Sequence, residues 1–446
     1  MAILFFSQII SSISFLITSV LLSFVNPTCN SRITVVANTE LSEQAGDRSI
    51  LPAAYRFDKY LPLIKGKSIA IFANQTTIVR NKHLIDTLKS LGVIPKKVFS
   101  PEHGFRGTAD AGETVGNYID QKTGVAIISL YGNKKKPSAD DVKDIDILMF
   151  DMQDIGVRYY TYISSLQDYI EAAIAYKKPL IILDRPNPNG FYIDGPVLNM
   201  KYKSFIGMQP IPAVYGMTMG EYAKMIIREK WIDLKNTQPE IFTDEDKRSS
   251  IDLTKCSITI IKCGNYDHNS RYALPVKPSP NISDMQSVYL FPSTCFFEGT
   301  VFSEGRGTPK PFQWIGHPSL PQTLFSFTPN PTEGAKNSKL YGQLCYGWDL
   351  SGTVEEVLQK TNGRLQLKWI LEAYKLFPKK DSFFIIPKSG NMEDSFFNKL
   401  AGNNDLWQQI KAGMPEDEIR KSWEPKLSEF KAIRKKYLLY KDFSAE

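Results

Sequence analysis

The sequence predicts an α/β fold: a mostly parallel sheet covered on both faces by helices, followed by a second domain. Three observations carry this. Short, continuously apolar runs alternate with segments of helical periodicity, as buried parallel strands and their crossover helices do. Polar, rigid or glycine-containing segments follow the strands and so gather at one edge of the sheet, where a doubly wound fold binds ligands. A proline-rich stretch, Leu274 to Ile282 (LPVKPSPNI), then reads as a crossing into another domain.

At the N-terminus, Ile3 to Val25 is almost all apolar or small, uncharged and long enough to span a bilayer. It reads as a secretory signal or uncleaved anchor, although the usual basic n-region is missing. Cys29 stands where a lipoprotein signal places its lipidated cysteine, but Asn26-Pro27-Thr28 departs from the usual small apolar residues before it. Lipidation and simple cleavage or anchoring both stay open. The expected location is the periplasm or an outward-facing membrane surface. Residues 1–30 are thus read as signal or anchor, 31–51 as polar linker, 52–272 as the first domain and 273–446 as the second.

Lys67 to Ala73 is the first strand, with Asn74-Gln75-Thr76-Thr77 as its polar C-terminal loop. His83 to Leu91 has the 3.6-residue periodicity of a short helix. Pro95 to Ser100, Gly124 to Leu130, Ile145 to Phe150 and Pro179 to Leu183 supply further strands, with a long helix over Tyr159 to Tyr176. Thr218 to Trp231 is an amphipathic helix, residues 235–255 are polar without a pattern, and Ile258 to Lys262 is another strand. In the second domain Val354 to Gln359, Leu365 to Leu376 and Glu416 to Tyr440 read as helices and Phe383 to Pro387 as a strand.

The densest chemistry lies in Ser100-Pro101-Glu102-His103-Gly104-Phe105-Arg106-Gly107-Thr108-Ala109-Asp110-Ala111-Gly112-Glu113, directly after a strand. Its glycines permit conformations closed to other residues and close approach to a ligand. The competing reading is a surface turn with solvated charges. Asp151 to Tyr162 and Asp184-Arg185-Pro186-Asn187 follow two further strands.

Net charge is +7 over 446 residues, modest for the length. Lys134-Lys135-Lys136 and Arg434-Lys435-Lys436 are read as solvated faces, and no nucleic-acid motif accompanies them. No G-x-G-x-x-G or P-loop follows the first strand, which argues against a nucleotide cofactor. Cys256, Cys263, Cys295 and Cys345 could pair in an exported protein, the first two across a hairpin. No C-x-x-C or His-rich cluster suggests zinc.

Several blocks occur together: SPEHGFRGTADAGE, SLYG, FDMQDIGVRYYTYISSL, LDRPNP, GPVL, PSPN, FEGT, SEGRGTPKPF and the terminal KKYLLY. From about residue 52 to 441 the chain resembles the exo-β-N-acetylmuramidase (NamZ-like) family, once catalogued only as a domain of unknown function. The resemblance implies a Rossmann-like N-terminal domain without a nucleotide and a smaller C-terminal α+β domain. It also implies a cleft between them that removes terminal N-acetylmuramic acid from peptidoglycan fragments, with no cofactor. One departure is Val301-Phe302-Ser303, where family members often read TNVS after EGT; it bears on a polar contact at position 301.

Glycosidic cleavage needs an acid for the leaving oxygen and usually a second group at the anomeric carbon. Glu102 is the candidate acid, with His103, Asp110 and Glu113 as further catalytic candidates. Asn74, Arg106, Asp151, Asp154, Arg158, Tyr160, Asp184, Arg185, Asn281, Glu298, Glu304 and Arg306 are candidates for substrate binding. For Asp151 and Asp184, pairing with Arg158 and Arg185 or accepting backbone hydrogen bonds is the alternative. The lactyl carboxylate of N-acetylmuramic acid calls for a cation. Arg106 and Arg306 are the expected readers, Arg306 on a glycine-flanked loop read as mobile. A muropeptide or disaccharide substrate and possible membrane attachment through the N-terminus complete the expectation. Two other classes stay open: a metal-dependent phosphoesterase, since Asp-rich loops also bind Mg²⁺, and a non-catalytic peptidoglycan-binding lipoprotein.

Overall fold

Apolar five-residue and four-residue runs build the framework in a computed structural model that describes residues 49–102, 104–107, 116–235, 239–246 and 250–444. The strands in chain order are β1 (Ile69–Ala73), β2 (Ile78–Val79), β3 (Lys82–His83), β4 (Lys97–Ser100), β5 (Tyr118–Ile119), β6 (Ala126–Ser129), β7 (Ile147–Asp151), β8 (Leu180–Leu183), β9 (Glu240–Thr243) and β10 (Ser257–Ile261). An eight-stranded sheet has the order β5-β6-β4-β1-β7-β8-β10-β9. It is parallel except at the β5–β6 edge. Every residue of β1, β7, β8 and β10 is buried, as two covered faces require.

The winding places the site. From β1 the chain steps out to β4 and β6, then returns past β1 to β7 on the other side. The loops leaving β4 and β7 therefore diverge beside β1, and such a switch point opens a crevice at the C-terminal strand ends.

Helices Tyr162–Ala175 and Met219–Arg228 pack on one another and into the core. The second begins at a capping box: Thr218 Oγ1 accepts from the Glu221 amide (3.3 Å), and the Glu221 carboxylate accepts from the Thr218 amide (2.9 Å). The long helix starts at Tyr162 rather than Tyr159. The Arg158 amide donates to the Ala213 carbonyl (2.8 Å), and a Val157–Val214 bridge holds the preceding residues extended.

Beyond residue 283, helix Met285–Thr294 leads into a three-stranded antiparallel sheet of β11 (Trp314–His317), β12 (Phe325–Phe327) and β13 (Cys345–Asp349), in the order β11-β13-β12. Helices Val354–Thr361, Lys368–Leu376, Phe396–Ala401, Asp405–Lys411 and Glu416–Lys435 follow. One hydrophobic cluster runs from Phe72 and Tyr169 through Phe291 and Phe312 to Phe397 and Phe430.

Several expectations need correction. β9 lies in the stretch read as patternless, and the antiparallel sheet was not anticipated. Phe383 to Pro387 is not a strand: Phe383 has helical dihedrals, and the segment's backbone pairs only by an isolated Thr300–Phe384 bridge. Residues 49–51, read as linker, belong to the fold, because Leu51 pairs with Gly264 (2.9 and 2.8 Å). The four cysteines from Cys256 on are buried and free. Cys256 and Cys263 flank the two ends of β10, about 20 Å apart along an extended strand, not a hairpin. The N-terminal signal or anchor and Cys29 lie outside the described residues.

Candidate active site

Register brings the first two residues together. β4 and β6 are parallel neighbours with Ser100 opposite Ser129, so the residues two beyond each end, Glu102 and Tyr131, meet. The Tyr131 hydroxyl donates to Glu102 Oε1 at 2.9 Å. Burial and the Glu102 charge together push the Tyr131 phenol up, so it remains a donor. The turn after Glu102 depends on two left-handed glycines, Gly104 (φ 76°) and Gly107 (φ 72°). The Gly104 amide donates to the Pro101 carbonyl (3.1 Å), and a Cβ on Gly107 would strike the Gln75 side chain.

The loop after β7 supplies an aromatic wall. Tyr160 and Tyr162 meet edge to face with centroids 4.7 Å apart. Their placement rests on the Pro278 carbonyl, which accepts from Tyr160 (2.8 Å) and from Gln75 Nε2 (2.9 Å). Asn74 Nδ2 donates to the Tyr162 hydroxyl (2.6 Å). Asp154 anchors the same loop from within, accepting from the Gly156 amide (2.6 Å) and from the Tyr215 hydroxyl. Burial pushes its carboxyl up to about 7.

The opposite wall comes from residues 279–312. Asn281 is fixed by donation to the Gly334 carbonyl (2.7 Å). Arg306 donates to Glu298 (2.7 Å) and pairs through Nε with Glu304 (3.2 Å). Lys339 meets Glu304 from behind (2.8 Å). Burial opposes the Arg306 charge, but Glu298 and Glu304 outweigh it and hold the guanidinium above its ordinary value. The Arg306 loop is tied down rather than mobile: Ser303 pairs with Gly316 (2.9 and 3.1 Å), Thr308 Oγ1 donates to the Gly305 carbonyl (2.6 Å), and the Asn330 amide to that of Gly307 (2.7 Å).

These walls enclose a cavity of about 470 Å³, into which Glu102, Tyr131, Tyr160, Asn281, Glu298 and Arg306 all face. That is room for a sugar residue and part of its neighbour. Of the anticipated residues, the structure brings Glu102, Tyr160, Asn281, Glu298 and Arg306 to this cavity. Asn74, Asp154 and Glu304 stand behind its walls.

The rest are elsewhere. Asp151 and Arg185 form a fully buried bidentate pair (2.5 and 2.8 Å). Asp184 accepts from Thr218 (2.7 Å), the Gly220 amide (2.9 Å) and Tyr440 (2.7 Å), and burial pushes it up to about 6. Arg158 pairs with neither aspartate. It donates to the carbonyls of Pro196 (2.7 Å), Ile211 (2.8 Å) and Leu400 (2.7 Å), stitching the loop after β7 to the helix Phe396–Ala401. Arg106 clasps Asp120 (2.8, 2.8 and 3.1 Å) and lines a different cavity beside His83 and Lys122. His83 caps its helix, accepting from the Ile85 amide (3.2 Å). His103, Asp110 and Glu113 lie outside the described residues. Position 301, where the family pattern is broken, is a half-buried valine packed on the core.

Sequence reasoning passed over Tyr131, Lys135, Phe205, Phe291 and Phe312 as site residues. Tyr131 had a usable signal, since it follows a strand at the same edge. The phenylalanines had none, because an apolar residue looks alike in a core and in a cavity wall.

A carboxylate lining an aromatic-walled cavity, on a doubly wound sheet, has the make-up of a glycosidase. Family models described as exo-β-N-acetylmuramidase NamZ match the chain over residues 69–286 (N-terminal) and 289–440 (C-terminal). The peptidoglycan β-N-acetylmuramidase NamZ of Bacillus subtilis is 36% identical over 415 residues, 89% of this chain and 91% of that one. A crystal structure of a DUF1343 family protein from Bacteroides fragilis is 41% identical, covers 88% of this chain and 99% of its own, and superposes with a TM-score of 0.75. A second one from that organism, 24% identical with the same coverage and a TM-score of 0.66, shares the fold. The chain belongs to the exo-β-N-acetylmuramidase NamZ family.

Proposed function

We propose that the protein is an exo-acting glycoside hydrolase that releases N-acetylmuramic acid from the non-reducing end of peptidoglycan fragments, in cell-wall turnover or recycling. Family membership supports the reaction, and the placement of Glu102 supports the site. Glu102 lines the cavity, 2.9 Å from the Tyr131 hydroxyl, together with tyrosines that suit the apolar face of a sugar ring. In this reading Glu102 protonates the leaving oxygen. Glu298, the other carboxylate lining the cavity among the described residues, is steadied by Arg306 and faces the positive charge that develops at the anomeric carbon. Tyr160 and Asn281 hold the ring.

The test is product identity. A disaccharide with N-acetylmuramic acid at the non-reducing end should yield free N-acetylmuramic acid and N-acetylglucosamine by mass spectrometry. The reversed disaccharide should remain intact. Cleavage of both, or of internal bonds in intact glycan before any terminal release, contradicts an exo-muramidase. Export is part of the same proposal, motivated by the apolar stretch Ile3 to Val25 with Cys29 after it. Recovery of the full-length chain from the cytosol would contradict it, and radiolabelled lipid on the wild type but not on Cys29→Ser would select lipidation over cleavage.

A further inference from the structure

The three consecutive lysines 134–136 do different things. Lys134 pairs with Asp141 (2.5 Å), and Lys136 pairs with Asp168 (3.3 Å) and Glu171, all away from the cavity. Lys135, between them, lines the cavity, with its ammonium 4.3 Å from the centre of the Phe205 ring. The aromatic face holds the cation at the rim rather than leaving it to range through solvent. Asp168 feels the Lys135 charge but is ion-paired to Lys136, and no carboxylate among the described residues pairs with Lys135.

The other cation that lines the cavity, Arg306, is already matched. Arg306 carries Glu298 and Glu304, with Lys339 behind, so that group of two cations and two anions closes on itself. Arg106, which could have supplied another cation, is spent on Asp120 in a different cavity. Lys135 is therefore the lining cation, among the described residues, whose charge is not met by the protein.

We propose that Lys135, seated over Phe205, is the specificity-determining residue that pairs with the free lactyl carboxylate of the terminal N-acetylmuramic acid. This rests on the function proposed above. N-acetylglucosamine lacks that carboxylate, so an unmatched cation at the rim distinguishes the two sugars. An ammonium on a flexible stem suits a carboxylate that itself swings on an ether.

The test compares kcat/KM on an aryl N-acetylmuramide, its uncharged lactyl methylamide and the matching aryl N-acetylglucosaminide. Parent enzyme, Lys135→Met, Lys135→Arg and Lys134→Met are measured side by side. Lys135→Met should lose about 5- to 30-fold on the free acid, mainly through KM, between the effect of an exposed ion pair and that of a charged hydrogen bond. Rates on the methylamide and the glucosaminide should fall far less, so that the preference for the free acid is what collapses. Lys135→Arg should keep most of the preference, and Lys134→Met all of it. Added salt should erode the preference of the parent but not of Lys135→Met. If Lys135→Met keeps the parent's ratio of free acid to methylamide, or loses equally on both, the assignment is wrong although the enzyme is a muramidase. If the parent cleaves no muramide, the functional reading itself falls, and this inference with it.

Discussion

Acidic residues stand at the C-terminal ends of several parallel strands of one sheet and meet opposite fates. Asp151 and Asp184, on β7 and just after β8, are wholly buried and absorbed into the framework, one by Arg185 and the other by Thr218, Gly220 and Tyr440. Glu102, beyond β4, lines the cavity and meets a phenol. The difference follows from what covers each strand end. The segment after helix Glu416–Lys435 comes back over β8 and β10, so an acid there is cut off from water and needs internal donors. The end of β4 lies on the switch-point side, where Glu102 lines the cavity. An acid at a strand end is thus a candidate for chemistry where it lines a cavity rather than being consumed by internal donors.

The strongest way to break this contrast is at the buried pair. Arg185→Met should cost about 3–5 kcal/mol, because it strands a carboxylate in the interior, and Asp151→Asn combined with Arg185→Met should recover much of the loss. Urea unfolding measures both, and a single-variant cost below about 1 kcal/mol would erase the distinction between framework and site. At the cavity, Tyr131→Phe should lower kcat/KM about 2- to 10-fold, the worth of one hydrogen bond to a reacting group, with little change in stability. A large fall in melting temperature with unaltered kinetics would move Tyr131 to the framework side.

The pH dependence of stability sharpens the comparison. Burial raises Asp154 to about 7 and Asp184 to about 6, from an ordinary 3.8. These two groups therefore bind more protons in the folded than in the unfolded chain between about pH 4 and 7, and their contribution to stability falls as pH rises through that window. Asp154→Asn should flatten the slope, and an unchanged slope would show that Asp154 is ionised in the fold. The smallest expected effect is none: chelation should leave hydrolysis untouched, since the sequence offers no C-x-x-C and no His-rich cluster at metal spacing. Activity lost to a chelator and restored by a divalent ion would return the phosphoesterase to consideration.

The parallel sheet was legible because β1, β7, β8 and β10 are apolar along their whole length. β9 (EIFT) and β12 (FSF) are short and partly exposed, and nothing in such a fragment separates strand from loop. The loop around Glu102 was legible by composition. What could not be read was which charges are consumed inside. Tyr440 reaches Asp184 from 256 residues away, and Leu400 takes the Arg158 guanidinium from 242 residues away. The sequence left open which of Asp151 and Asp184 pairs with which of Arg158 and Arg185; the structure pairs Asp151 with Arg185 and gives Arg158 to backbone carbonyls. The lysine run misled in the other direction, because its three identical residues have three different surroundings.

The central claim is that Glu102 works on substrate while its buried counterparts hold the fold. Turnover of an aryl N-acetylmuramide and the melting temperature, measured together on Glu102→Gln, test it most directly. The account predicts a loss of about 10²- to 10⁴-fold in turnover, the usual worth of a general acid, with stability within about 0.5 kcal/mol of the parent, as for a surface substitution. Turnover equal to the parent's, or a loss explained by unfolding, would contradict it.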